Sequence, residues 1–216
     1  MAIITMSDDH GTYYTSNGSS SEPLTLSQMQ VNARYLYDFM SSIGISTNAI
    51  CGMLGNFQVE STINPGRWQN DSVGSTSLGY GLAQWTPATK YLNYYETYGF
   101  GESYEMKFQI AYLYGYELEN HKEYFPTTNY PESYEEFLVS TKSPGYLAKA
   151  FLYNYERAGV EKVDLRVEYA NYWYEFLTGS TPPYDPDDPT PTPTPSGKKK
   201  KGYNFVLFNK RRRIYG

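Results

Sequence analysis

Cysteine and histidine are almost missing from this 216-residue chain, which has one cysteine, Cys51, and two histidines, His10 and His121. A single cysteine excludes an intramolecular disulfide and a Cys-rich zinc site. Two distant histidines give no expectation of a metal centre, and Ser-His-Asp chemistry would have to use one of them. No apolar stretch approaches the roughly eighteen residues that a membrane span needs, so none is expected. Residues 1–10 combine no basic start with no apolar run, so no secretory signal is read there and synthesis in the cytoplasm is expected. No cofactor is expected either.

Charge and tyrosine are what the chain does have. Eight of the 18 Lys and Arg follow Gly197 with no acid among them, so the preceding chain sets ten bases against all 23 acids, a net of −13. An acidic body and a basic tail are expected to do different things. The 25 tyrosines pair a flat apolar ring with a polar tip, which suits a carbohydrate groove, a protein interface or simply a tyrosine-rich core.

Four segments follow from composition. Residues 1–22 are rich in Ser, Gly, Thr and Asp and are expected to be flexible. Residues 23–179 carry helical periodicity. The first helix opens near Leu24 with a Ser27–Gln30 capping box and stops at Gly44; the second starts near Ser46 with Ile50, Met53, Leu54 and Phe57 as its apolar stripe. Asn64-Pro65-Gly66, Asn70-Asp71 and Gly74 then mark an irregular insert holding a short β-hairpin at most. Helical pattern resumes near Ala88, breaks at Gly99, at Pro126–Pro131 and at Pro144, and ends in a long helix over about 163–177 stopped by Gly179. The fold class is therefore mainly α, one helical domain with a small insert. Residues 180–197 alternate Pro with Thr and Asp and read as an extended linker, and 198–216 as a basic tail.

Glu60 stands at the edge of the apolar stripe and in the last turn of the second helix. Partial desolvation and the negative end of the helix dipole both disfavour a charged carboxyl there, which makes it a candidate proton donor. Position alone favours an ordinary solvated glutamate in a last helical turn. Three segments in order add more: residues 48–65, NAICGMLGNFQVESTINP; residues 79–86, GYGLAQWT; and residues 151–157, FLYNYER. Together they resemble the phage tail lysozyme family, over roughly residues 24–177, and in particular the lysozyme domain of tail-tip proteins of small short-tailed phages. The Glu-Ser and Gly-Leu-x-Gln elements are also similar to goose-type lysozymes and lytic transglycosylases.

The resemblance implies a lysozyme-like helical fold, with Glu60 as general acid and Gln84 against the sugar at the cleavage point. Tyr80, Trp85 and Tyr155 become candidate groove residues, Trp85 and Tyr80 by stacking on pyranose rings, though a core position suits Trp85 equally. Gly79 and Gly81 either let backbone approach the sugar or support the hairpin. Glu156 and Arg157 read as an ion pair that fixes the last helices. Glycosidases usually use two carboxyls, and Asp71, the one acid between Glu60 and Gln84, is the default second; Asn70-Asp71 is also plain turn chemistry. Without a second acid, the substrate's own acetamido or 6-hydroxyl group would act instead.

The implied activity is cleavage of the β-1,4 bond between N-acetylmuramic acid and N-acetylglucosamine in peptidoglycan glycan strands. The implied location is a virion tail tip acting during entry; an endolysin, a transglycosylase giving 1,6-anhydro sugars and a non-enzymatic wall-binding tail protein are the competing readings. Two scattered histidines do not build a metallo-endopeptidase. The tail at 198–216, with Phe205-Val206-Leu207-Phe208 between basic clusters, is a candidate contact with other phage tail proteins by strand addition; no specific nucleic-acid binding is expected without a base-reading element.

Overall fold

The computed structural model describes residues 3–121 and 123–183, without the side chains of 117–121. The basic tail and the linker beyond residue 183 lie outside the described residues.

Two antiparallel strands, β1 (Ile3–Asp8) and β2 (Gly11–Ser16), open the chain, with Ile3 opposite Ser16 and Asp8 opposite Gly11. This corrects the expectation of a flexible N-terminal segment. The composition is polar, but Tyr13, Thr15 and Ser16 are buried, and the Asn32 side chain receives the Tyr14 amide and donates to the Tyr14 carbonyl. Tertiary hydrogen bonds order a stretch whose apolar content alone would not.

Helix α1 (Leu26–Ser42) starts on a capping box between Thr25 and Gln28, two residues before the expected Ser27–Gln30 pair. Leu24 and Met29 then fall at the flanking apolar positions of the cap, and both are buried, which selects this register. Helix α2 (Thr47–Ser61) begins at Ser46, whose hydroxyl accepts the Ala49 amide and donates to the Ser140 carbonyl. Every residue of α2 from Ala49 to Gln58 is buried, so α2 is the central helix rather than an amphipathic one with an outer face. Cys51 lies in this core, and burial pushes its thiol up.

The insert after α2 holds a 3-10 turn (Gln69–Asp71) and the isolated pairings Trp68–Tyr80 and Tyr80–Trp85 instead of a hairpin. Helices α3 (Thr89–Tyr98), α4 (Met106–Ala111), α5 (Tyr134–Leu138), α6 (Pro144–Phe151) and α7 (Val163–Thr178) complete the mainly α domain. Helices α4 and α6 run on into π-helical segments, Tyr112–His121 and Leu152–Glu156. Pro144 opens α6 rather than breaking a helix, because the first turn needs no amide donor there. Gly179 ends α7 in a left-handed conformation, φ 72°, as its position predicts.

Helix α2 packs along α6 and α7, which also pack on one another. Glycines set how closely: a Cβ at Gly52 would stand 2.9 Å from backbone atoms of Leu147 and Ala148, and one at Gly55 2.4 Å from the Arg166 carbonyl oxygen. Gly55→Ala would force α7 away from α2, and a loss of about 1–3 kcal/mol is expected from such overpacking. A clearly lower thermal midpoint by circular dichroism would register it.

Candidate active site

Glu60 is one residue from the end of α2. The helix closes with two non-glycine residues in the left-handed region, Thr62 (φ 58°) and Ile63 (φ 54°), whose amides return to Gln58 and Phe57 carbonyls. The next residue, Asn64, bonds the Ser16 amide and hydroxyl, the Glu22 carbonyl and the Gly66 amide. Buried amide chemistry thus fixes the exit of α2 against the N-terminal hairpin. Ser61 donates to the carbonyl of Leu82 at 2.9 Å, which ties the turn at residues 79–85 to the helix end beside Glu60.

The Glu60 side chain is 20% exposed, and its Oε1 accepts from Arg166 Nη2 at 2.5 Å. Arg166 itself is buried. Its Nη1 donates to Asn56 Oδ1 at 2.8 Å, and its Nε to the Glu161 carbonyl at 2.8 Å. Asn56 in turn donates to the Gly52 and Ala148 carbonyls, so the guanidinium is held by a braced acceptor one helical turn from Glu60. The helix dipole at Glu60 is therefore answered by a cation, an influence of opposite sign. Sequence reading gave Arg166 no role, although it shares the buried face of α7 with Tyr169, Ala170, Trp173 and Leu177. The signal was there: a charged residue on a core stripe needs a partner carboxylate.

The expected ion pair between Glu156 and Arg157 does not form. Arg157 is left-handed, φ 47°, at the end of the second π-helical segment, and it turns to the Glu123 carbonyl, the Glu123 carboxylate and the Phe125 ring. Glu156 instead lies within electrostatic range of Glu60 and Arg166. Its Oε1 is sealed from solvent with no hydrogen-bond partner. Burial pushes the Glu156 carboxyl well above the usual carboxylate range; the charge of Glu60 pushes the same way and Arg166 opposes.

The other expected site residues sort differently. Tyr80, Trp85 and Tyr155 are 1%, 4% and 5% exposed, so none presents a ring face to a sugar. They belong to an aromatic core: Trp85 Nε1 donates to Tyr155 Oη at 2.8 Å, Tyr80 Oη pairs with Ser103 Oγ, and Trp85 stacks on Tyr91. Gln84 is half-buried at φ 49° and spends both amide hydrogens on the Arg67 and Gly81 carbonyls, while its Oε1 has no partner among the described residues. The space above Gly79 and Gly81 is filled by the protein, by Gln84 and Gln109 respectively, so their role is to shape the turn. Gln109, missed in the sequence, accepts the Leu82 amide and donates to the Pro65 carbonyl. Asp71 lies in the 3-10 turn, 71% exposed, on Arg67.

Cavities of about 380 Å³, between α3 and Tyr116, and about 490 Å³, between the hairpin, α1 and Phe176, both lie apart from Glu60. Among the described residues no group of three His, Cys, Asp or Glu is placed to hold a metal ion, and no helix is long and apolar enough to cross a membrane.

A mainly helical domain whose central helix carries a partly exposed glutamate in its last turn, tied to a glycine-bounded turn, is a lysozyme-like protein. The chain belongs to the phage tail lysozyme family, whose pattern matches residues 31–177. It is 45% identical over 156 residues to morphogenesis protein 1 of Bacillus phage B103, covering 72% of this chain and 42% of that relative. The chain thus spans well under half the length of this relative.

Two measurements follow. Tyr155→Phe leaves Trp85 Nε1 without its acceptor inside the core, and a loss of about 1–3 kcal/mol in stability with unchanged substrate affinity is expected. The raised Glu156 carboxyl means the folded chain retains a proton that the unfolded chain has released. Stability from this group is therefore greatest below the ordinary carboxylate range and declines as pH rises from there through the raised value. Thermal midpoints taken across that range should fall in the native protein, and Glu156→Gln should remove that part of the slope.

Proposed function

We propose that this chain is a muralytic glycosidase that cuts the β-1,4 bond between N-acetylmuramic acid and N-acetylglucosamine, with Glu60 as the general acid. The observation that carries the reading is the placement of Glu60: partly accessible, at the end of the buried central helix, with its guanidinium partner anchored in the core. Family membership supports the same substrate class. Glu60 protonates the leaving glycosidic oxygen, a contribution of about 10²–10⁴ in rate. Gln84 offers its free Oε1 to a sugar hydroxyl or acetamido N–H, while its amide hydrogens hold the turn.

The second carboxyl decides the product. Asp71 is the solvent-facing candidate to position water, which gives a reducing end. One observation favours the transglycosylase alternative: Glu156, whose carboxyl the charge of Glu60 helps to raise, has its Oε1 sealed from solvent, which does not suit it to activating water. Attack by the substrate's own 6-hydroxyl then gives the 1,6-anhydro product. Mass spectrometry of released fragments separates the two.

The similarity to a phage protein named for morphogenesis supports a virion component that opens the host wall during entry, with residues 198–216 contacting neighbouring tail proteins. Immunogold labelling of virions separates this from an endolysin released at lysis.

With purified Gram-positive sacculi, the native protein should clear turbidity and Glu60→Gln should lose at least about 10²-fold in rate while remaining folded, since glutamine still accepts from Arg166. Equal clearing by both proteins would sink the role of Glu60. No clearing by either would leave a wall-binding protein.

A further inference from the structure

Tyr80, Trp85 and Tyr155 are core residues and offer no ring to a sugar. Ring faces of that kind occur on α3 instead. Lys90, Asn93, Tyr94, Thr97 and Tyr98, spaced three and four apart, share one side of that helix. With Tyr116 of the Tyr112–His121 segment they line the cavity of about 380 Å³, to which Glu60 does not contribute. Its volume lies within the roughly 300–1,000 Å³ of small-ligand sites. Three tyrosine rings form its apolar wall. Tyr94 lies 5.2 Å from Tyr98 and 4.8 Å from Tyr116, centroid to centroid, and Tyr98 lies 6.0 Å from Tyr116. Tyr94 is also 5.1 Å from the buried Tyr112, whose ring meets Trp85 edge-on, so the wall is the outer layer of the aromatic core and is backed by it. Tyr98 is 60% exposed. Burial and the neighbouring Tyr98 and Tyr116 push the Tyr94 hydroxyl up, so it stays neutral and able to donate.

Polar groups border this wall. The Asn93 amide meets no hydrogen-bond partner among the described residues, whereas the Thr97 hydroxyl donates to the Asn93 carbonyl. Lys90, the charged residue among those lining the cavity, is paired with Glu123 at 2.9 Å, so its charge is already answered. A neutral ligand with apolar faces and hydroxyl or amide edges suits such a cavity better than a phosphate or a carboxylate. An asparagine amide both donates and accepts, which matches the C=O and N–H of an acetamido group. We propose that this cavity is a saccharide-binding site separate from the cleavage point, taking an N-acetylhexosamine unit of a glycan strand. The choice of glycan rests on the reading of the chain as a muralytic glycosidase; the binding chemistry does not. The sugar ring lies on Tyr98, backed by Tyr94 and Tyr116, and the Asn93 amide takes the acetamido group. A strand held here stays with the protein between cleavage events at Glu60.

The test is nuclear magnetic resonance of the full chain titrated with the β-1,4-linked disaccharide of N-acetylglucosamine, beside the glucose disaccharide of the same linkage. Amides of residues 89–98 and 116 should shift along one saturating curve with the N-acetylated sugar. Tyr98→Ala should weaken that binding about tenfold, through loss of the ring face, and Tyr98→Phe should retain it. Asn93→Ala should weaken it about fivefold, and it carries the test if Tyr98→Ala does not fold. Both side chains are exposed, so thermal midpoints should stay near the native value. The glucose disaccharide should bind about fivefold more weakly or worse. Shifts confined to other parts of the chain, or binding unchanged in both alanine variants, would overturn the site. Equal affinity for the two disaccharides would overturn its assignment to an N-acetylated sugar. An unshifted α3 beside an inactive Glu60→Gln removes this inference alone, whereas an active Glu60→Gln removes the role of Glu60 and leaves these binding curves as they are.

Discussion

A guanidinium with almost no access to water is the feature on which the rest of this fold depends. Arg166 is 1% exposed, and an unpaired charge at that depth would be strongly destabilising, by about 3–5 kcal/mol if one partner of a buried pair is removed. It is satisfied by an amide oxygen, a backbone carbonyl and a carboxylate. Two of those partners stand on α2, one turn apart, so α7 must lie close against α2 along that turn. Gly55 makes the approach possible by having no Cβ opposite the Arg166 carbonyl. The same contact places Glu60 in a defined position at the edge of the core.

A second set of constraints is built from neutral amides. Asn32 and Asn64 fasten the N-terminal hairpin to α1 and to the end of α2, and Gln109 fastens the turn at residues 79–85. Each is buried and each meets backbone groups that would otherwise lack partners. Beyond the β1–β2 ladder, these side chains and Ser61 tie the irregular half of the molecule to the stretch that follows Glu60. Left-handed residues at Thr62 and Ile63 persist because this network surrounds them on both sides.

Periodicity and punctuation made much of the helical framework legible. Apolar spacing located α1, α2 and α7, and the glycines at 44 and 179 marked two of their ends. Motif order pointed to the family. Polar composition was a poor guide to residues 3–16, because a hairpin clamped by side chains of distant helices needs little apolar area of its own. Aromatic residues in a motif were equally ambiguous. Tyr80, Trp85 and Tyr155 carry polar tips that satisfy one another or Ser103, so they sit inside the core without cost, and a sequence does not distinguish that from a ring offered to a sugar.

Local pattern determined where several helices start and stop, that Glu60 lies in the last turn of the second of them, and that the described residues are mainly helical, since those properties depend on residues a few positions apart. Which charges meet was decided by tertiary structure alone. Adjacent Glu156 and Arg157 diverge because the backbone reverses hand between them, while Glu60, Glu156 and Arg166, scattered over more than a hundred positions, converge where three helical elements pack. Electrostatics acts through space, and only the packed fold sets those distances.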